Sequence, residues 1–585
     1  MKDQEEDELP LATSRLARNN QLQELPYNEL SRLARLRTLN LHNNHINSEG
    51  LPDEAFESLQ LLQYIYLANN KRWDLRSQNH HGASPRIRYP EQFEVLLEKV
   101  LVPWSHLKVQ RRISVPRRTV LRSETQVSTL EVKEAKKKML TVAPQFLPST
   151  LRIVDLAANR LTCVYPLTFG HKSGLRSVYM HNNQLNNTGL PFDVFNGSDA
   201  VSTLILSSNR LTYVPQNLPH ALVRLHLQNN FISRVPKGAL SSQWRLRELY
   251  LQNNNLSSEG LDSSTFSRLK SLEYLDLSNN NLTQVPAGLP ANIVILHLGR
   301  NSLNFLPPEC LSRVKGLQYL LLQGNALTAA GVHPDAFSHL RSLHTLHLYN
   351  NRLERIPQGL PRRVRSLMLL HNQITWVGLH DFAGTYALVE LNLSYNRLYS
   401  ARIHRLAFRK LRRLETLDIS ANHLTLLPAG LPSSLQVLNL QKNQINSLSP
   451  ELLANLTMLK ELHLAHNRLR IGSISPGTWQ ELYGLKLLDL SYNELSYVPP
   501  DLPESLEYLY LQHNRIVVIM AEAFLTTPNI RVITLRSNRL LAANVSDKAF
   551  ADLKLLEVVD TMGNPEPISI SLLQAGRWTH TQMGT

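Results

Sequence analysis

The feature that most constrains this chain is an asparagine that returns at fixed spacing. It sits in the pattern Leu36-x-x-Leu39-x-Leu41-x-x-Asn44-x-Ile46, and later copies run from Asn70 and Asn159 through Asn183, Asn209, Asn230 and Asn254 to Asn564. From Asn159 onward the intervals are 24, 26 and 21 residues, and they keep that order to the end of the series. A chain of 585 residues would ordinarily divide into several domains. Fixed-interval repetition removes that expectation, because stacked repeats extend one continuous core and depend mainly on their nearest neighbours.

The series opens with the same intervals, 24 from Asn20 to Asn44 and 26 from Asn44 to Asn70, but the next is 89 where 21 is due. Removing the excess of 68 residues, Arg72 to Met139, joins Asn69-Asn70-Lys71 to Leu140-Thr141-Val142-Ala143-Pro144. That junction restores the order seen in Asn209-Arg210-Leu211-Thr212-Tyr213-Val214-Pro215. The segment holds 15 Lys and Arg against 7 Asp and Glu, so it supplies 8 of the chain's 15 net positive charges. Its clusters Arg111-Arg112, Arg117-Arg118 and Lys136-Lys137-Lys138 admit a regulatory or nucleic-acid-binding reading. It lacks the paired aromatic and basic platforms that bases stack on, however, and basic runs are usually solvated. The preferred reading of 72–139 is a disordered or non-native insertion, such as non-coding sequence translated in frame, and no nucleic-acid partner is expected. The organisation is then N-terminal repeats over 1–71, the insertion, repeats in triplets over 140–564, and an unpatterned tail over 565–585.

Within each coil the alternation Leu39-x-Leu41 places both leucines on one face, which is the signature of a short strand. Stacked coils then pair their strands in parallel. The expected fold is an α/β solenoid, a leucine-rich-repeat horseshoe with the parallel sheet on its concave face. The recurring asparagine closes each strand at a turn, where its amide can donate to and accept from adjacent coils as a buried polar ladder. On the convex side, proline pairs such as Val214-Pro215-x-x-Leu218-Pro219 and Val285-Pro286-x-x-Leu289-Pro290 favour polyproline II. Runs such as Ala55-Phe56-x-x-Leu59 and Ala336-Phe337-x-x-Leu340 favour one or two 3-10 or helical turns.

Several function classes lack their residues. No run of 18 apolar residues is present, so no membrane span is expected. Cys-x-x-Cys pairs, phosphate-cradling glycine loops and nucleophile elbows are absent, so neither an enzyme nor a cofactor is expected. Cys163 and Cys310 lie six coils apart, too far for a disulfide. The opening Met1-Lys2-Asp3-Gln4-Glu5-Glu6 is acidic, so no secretory leader is read in this chain.

The leucine pattern in its short, long, long order resembles the small leucine-rich repeat proteoglycans of the extracellular matrix. Stretches such as Leu41-His42-Asn43-Asn44 and Glu248-Leu249-Tyr250-Leu251-Gln252-Asn253-Asn254 are closest to the podocan class. The resemblance covers nearly all of the chain outside 72–139. It implies secretion to the matrix, N-linked glycans, and binding to collagen fibrils or to signalling proteins. The alternative is an intracellular adaptor or scaffold, which the missing leader and the two cysteines would allow.

Glycan acceptors of the form Asn-x-Ser/Thr occur at Asn186, Asn196, Asn255, Asn281, Asn455 and Asn544, with a seventh, Asn392, on an inner strand and less suited. The strand positions flanking each central leucine form the concave surface. Its central block is expected to present Arg224, His226, Glu248, Tyr250, Tyr274, Asp276, His297, Tyr319, His347 and Tyr349 to a protein partner, as exposed rigid aromatics beside charges. A metal reading of His226, Asp276 and His297 is set aside, since coil spacing puts them about 5 to 14 Å apart.

Overall fold

The computed structural model describes residues 140–568 without interruption, most of 14–70, and residues 570–574 and 577–580. Among these residues a single parallel sheet of 21 strands, each three residues long, runs the length of the array. It starts at Ser14–Leu16 and Thr38–Asn40 and ends at Val558–Asp560. The register keeps leucine opposite leucine: Leu225 pairs with Leu249, Leu249 with Leu275, and Leu275 with Leu296. All four are fully buried, while the residues on either side of them face the hollow. Behind the sheet, phenylalanines such as Phe266, Phe337 and Phe408 fill the space between coils.

The asparagine ladder forms as its position requires. The Asn254 amide donates from Nδ2 to the carbonyls of Leu251 and Leu227, each at 3.0 Å, and its Oδ1 accepts from the Ile232 backbone N–H at 2.9 Å. One partner lies in its own coil and two in the coil before. Asn209 uses the same three kinds of partner, Leu206, Met180 and Leu185, and Asn493 uses Leu490, Leu464 and Leu469. These side chains are buried, so the amide replaces water for carbonyls that the strand can no longer pair.

A second constraint precedes the ladder. The residue immediately before the motif asparagine takes a left-handed conformation, with φ of 59° at Asn229, 55° at Asn253 and 53° at Asn279. Asparagine tolerates that region better than most residues, which accounts for the recurring Asn-Asn pairs. It also adds a link on the surface, since Asn253 Nδ2 donates to Asn229 Oδ1 at 2.7 Å.

The coils that flank residues 72–139 are direct neighbours. Strand Tyr64–Tyr66 pairs with Ile153–Asp155, and the backbone N–H of Asn70 donates to Asn159 Oδ1 at 3.0 Å. Leu140 is fully buried, and Thr141 N–H donates to Ser48 Oγ at 2.9 Å. The expectation for 72–139 itself lies outside the described residues.

The proline-rich convex segments, which the sequence reads as favouring polyproline II, also turn left-handed two residues after the first proline, at Asn217, Gly288, Gly359, Gly430 and Asp501. A Cβ on Gly288 would lie 2.1 Å from the Ser263 carbonyl oxygen, so the close approach of the preceding coil selects glycine there. The tail after Asn564, read as unpatterned, contains an antiparallel hairpin of Ser571–Gln574 and Arg577–His580. The Phe runs of the longer coils form single hydrogen-bonded turns, Leu59 N–H donating to Phe56 O and Leu340 N–H to Phe337 O, while 3-10 helices lie elsewhere in such coils, at Ser258–Gly260 and Ser400–Arg402, with a short helix at Pro450–Leu453.

Replacing Asn254 by Ala strands the Leu251 and Leu227 carbonyls and the Ile232 amide in a dry interior. The expected loss is roughly 2 to 4 kcal/mol, measured by urea denaturation, against well under 1 kcal/mol for Asn253→Ala on the exposed side of the same turn.

Candidate partner-binding face

The central block occupies six consecutive strands, Arg224–His226, Glu248–Tyr250, Tyr274–Asp276, Ile295–His297, Tyr319–Leu321 and Thr345–His347. Parallel strands about 4.8 Å apart bring side chains at equivalent positions into contact across coils. Arg224 Nε donates to Glu248 Oε1 at 3.1 Å, and Tyr250 Oη donates to Glu248 Oε2 at 3.1 Å. The Tyr250 ring stacks on His226, with centroids 4.1 Å apart and planes 12° from parallel, and tilts against Tyr274 at 4.9 Å. Tyr274 Oη reaches Asp276 Oδ2 at 3.4 Å, and His297 Nδ1 lies 3.3 Å from Asp276 Oδ1. Gln323 Nε2 is 2.8 Å from His297 Nε2. With the glutamine amide as donor there, His297 presents its Nδ1–H to the aspartate. Seven of the ten expected residues therefore form one connected run, from Arg224 to His297. His347 and Tyr349 form a second contact, their ring centroids 5.7 Å apart.

The exposure expected of this block holds only in part. Tyr319 is 6% exposed and Asp276 is 5% exposed. The concave side of a tightly stacked sheet is narrow, so each large ring shelters its neighbour's polar groups. The register sets Tyr319 between the smaller Ile295 and Thr345, and Asp276 is enclosed by hydrogen bonds from His297, Tyr274 and the Ser278 backbone N–H at 2.9 Å. Burial alone would raise the Asp276 pKa, but the hydrogen bonds and charge of His297, with those of Ser278, hold it below the usual carboxylate range. Asp276 is thus a structural clamp between coils rather than a steering charge. Coil spacing also overstated its distance from His297, because both side chains lean across the gap. Among the described residues no group of three His, Cys, Asp or Glu side chains could hold a metal ion.

Sequence reasoning missed three glutamines. Gln228, Gln252 and Gln323 stand two residues past the end of their strands, on the same side as His226, Tyr250 and Leu321. Their Oε1 atoms are buried without a hydrogen-bond partner. Only their position in the alternation could have signalled them.

The six favoured glycan acceptors, Asn186, Asn196, Asn255, Asn281, Asn455 and Asn544, are all exposed. Asn392 is half-buried on the strand Glu390–Asn392, and its Oδ1 accepts from Ser394 N–H and Oγ at 2.9 and 2.7 Å. Cys163 and Cys310 are free.

Burial pushes the imidazoles of His226 and His347 down to about 4, with the nearby charges of Arg224 and His297 adding respectively. Both rings are neutral in the folded protein at neutral pH, while an unfolded histidine titrates near 6.5. As pH falls the unfolded state binds the proton first, so the stability these rings contribute is complete above about 6.5 and lost progressively toward 4. Glu390 and Asp418, raised mainly by burial, act in the opposite sense, favouring the fold as pH falls through their elevated range. In denaturation profiles at stepped pH, His226→Gln should flatten the decline between 6.5 and 4; an unchanged slope would mean that this ring is not desolvated.

The leucine rich repeat family model matches residues 220–282, 245–294, 362–424, 412–469 and 504–565, and a single-repeat model matches 35–59. The chain is 51% identical to mouse podocan-like protein 1 over 94% of its length and 87% of the relative's, and 49% identical to mouse podocan over 96% and 80%. Human lumican is 32% identical over 48% of this chain and 82% of its own. Among solved structures, the ectodomain of a plant membrane receptor kinase from Arabidopsis thaliana aligns over 92% of this chain and 57% of that one, at 23% identity and a TM-score of 0.50, a likeness of fold alone. With half of its residues shared with both podocan relatives across nearly its whole length, the chain belongs to the podocan group of the small leucine-rich repeat proteoglycan family.

Proposed function

We propose that this protein is a secreted component of the extracellular matrix that binds collagen fibrils through the concave block between Arg224 and Tyr349. The observation that carries the reading is the connected run Arg224, Glu248, Tyr250, Tyr274, Asp276 and His297 with His226 stacked on it. A surface whose rings are already held by hydrogen bonds loses little side-chain freedom on binding. Six strands at about 4.8 Å span roughly 25 Å, a length along which an extended triple helix can lie, offering backbone N–H groups and proline rings in turn. Membership of the podocan group supports the matrix location and weighs against the intracellular adaptor. Signalling proteins are the second class of partner that this face would suit.

Large aromatic residues near the centre of an interface usually dominate its energetics. In co-sedimentation with collagen fibrils, Tyr250→Ala and Tyr274→Ala should each weaken binding by about 1 to 3 kcal/mol, and the convex-side change Arg362→Ala should leave it unchanged. Because both tyrosines are largely buried, Tyr250→Phe is the folding control: it keeps the ring on His226 and removes only the hydrogen bond to Glu248. Equal losses for the concave and convex changes in folded protein would rule out the concave assignment.

The matrix location has its own check. Expressed behind an added export signal, the chain should carry endoglycosidase-sensitive mass at Asn196 and Asn455, which are exposed between strands, and none at Asn392. Glycan at Asn392 would mean that its coil opens during folding.

A further inference from the structure

The left-handed residue before each motif asparagine changes character midway along the array. Up to Asn350 the position is often asparagine, and Asn69 donates to Asn43 and Asn279 to Asn253, each at 2.6 Å. From the next coil to the coil of Asn538 it is never asparagine: the positions hold His371, Tyr395, Ala421, Lys442, His466, Tyr492, His513 and Ser537, with φ between 51° and 57°. Tyrosine and lysine in this region are conformational outliers, so Tyr395, Lys442 and Tyr492 each cost about 1 kcal/mol or more where asparagine would serve.

The rings placed there stack on one another and face solvent. His371 stacks on Tyr395 with centroids 4.2 Å apart and planes 16° from parallel. Lys442 reaches back across the small Ala421, its Nζ 3.4 Å from Tyr395 Oη and 5.9 Å from the ring centroid. Further along, His466, Tyr492 and His513 form a three-ring stack with spacings of 3.9 and 4.2 Å. Tyr395 is 43% exposed and Tyr492 is 42% exposed. The residues just after the motif asparagines add exposed cations, Arg397, Arg468 and Arg515, and the acid among them, Glu494, is held by Arg470 at 2.8 Å and Arg515 at 3.2 Å.

We propose that this strip, from His371 to His513, is a second binding surface, and that it takes an anionic polysaccharide of the sulfated glycosaminoglycan class. Because the rings stack on one another, they turn their edges to solvent, so imidazole N–H and tyrosine O–H donors stand at the coil repeat, in reach of the sulfate oxygens and hydroxyls of successive sugar units. Lys442 and the flanking arginines supply cations for sulfates, while the row itself contributes no carboxylate. Seven coils at about 4.8 Å give a strip roughly 29 Å long, a groove-free track suited to a linear chain rather than to a compact ligand. It lies on coils beyond the block assigned to collagen and does not depend on that assignment.

The test titrates the full chain with a heparin-derived oligosaccharide and with the same oligosaccharide chemically desulfated. The double change Tyr395→Asn with Tyr492→Asn restores the residue the turn prefers, so thermal stability should be unchanged or higher. It should weaken binding of the sulfated probe about tenfold. Lys442→Gln should lower the salt dependence of that binding. The basic residues of 72–139 are the same in every variant, so differences report the strip. The proposal fails if the double variant binds the sulfated probe as wild type does, or if the desulfated probe binds equally well. It fails also if the double variant loses collagen co-sedimentation while its affinity for the oligosaccharide is intact, which would make the strip a protein-binding surface.

Discussion

A three-residue strand cannot satisfy its own ends, and in this protein one amide per coil resolves the problem. The motif asparagine is the one neutral side chain of the right length that both donates twice and accepts in the same place, and each of its bonds but one crosses to the preceding coil. Aspartate could not donate to the Leu227 and Leu251 carbonyls, and leucine could do neither. The separation of successive asparagines in space is therefore fixed by geometry, and a coil can vary in residue count only on the convex side, where 21, 24 and 26 residues all close onto the same strand spacing.

That division of labour explains the shape of the concave face. Identical strands force side chains at equivalent positions into register, so neighbours along the sheet, not along the chain, are the interacting pairs. Tyr250 meets His226 and Tyr274 from two other coils, and His297 closes on Asp276 across one strand step. Crowding then buries groups that an isolated strand would expose, which lowers the histidine pKa values and removes Asp276 and Tyr319 from the solvent-facing surface. What remains at the surface of the proposed binding face is ring edges and hydroxyls.

Much of this was legible in the sequence because repetition turns one local rule into many. The strands, their parallel register, the ladder and the juxtaposition of the coils of Asn70 and Asn159 all follow from the asparagine spacing. The left-handed residue was written in the Asn-Asn pairs but needed backbone geometry to be recognised, as did the turn at Gly288 within a segment whose prolines alone suggest continuous polyproline II. The hairpin of Ser571–Gln574 and Arg577–His580 has no motif asparagine to announce it. Burial of Tyr319 and Asp276 depends on the size of residues one coil away, which an alternation pattern read along a single strand cannot supply.

The proposed recognition face lies on the concave side of a body held together by its ladder, and hydrogen exchange on the intact protein probes both at once. With a triple-helical collagen peptide bound, added protection should appear at the strand ends and following turns from His226 to Tyr349, while the convex segments, already slow or fast according to their own turns, keep their rates. Protection concentrated on convex segments such as Pro286–Pro290 and Pro357–Pro361, with the concave strands unchanged, would contradict it.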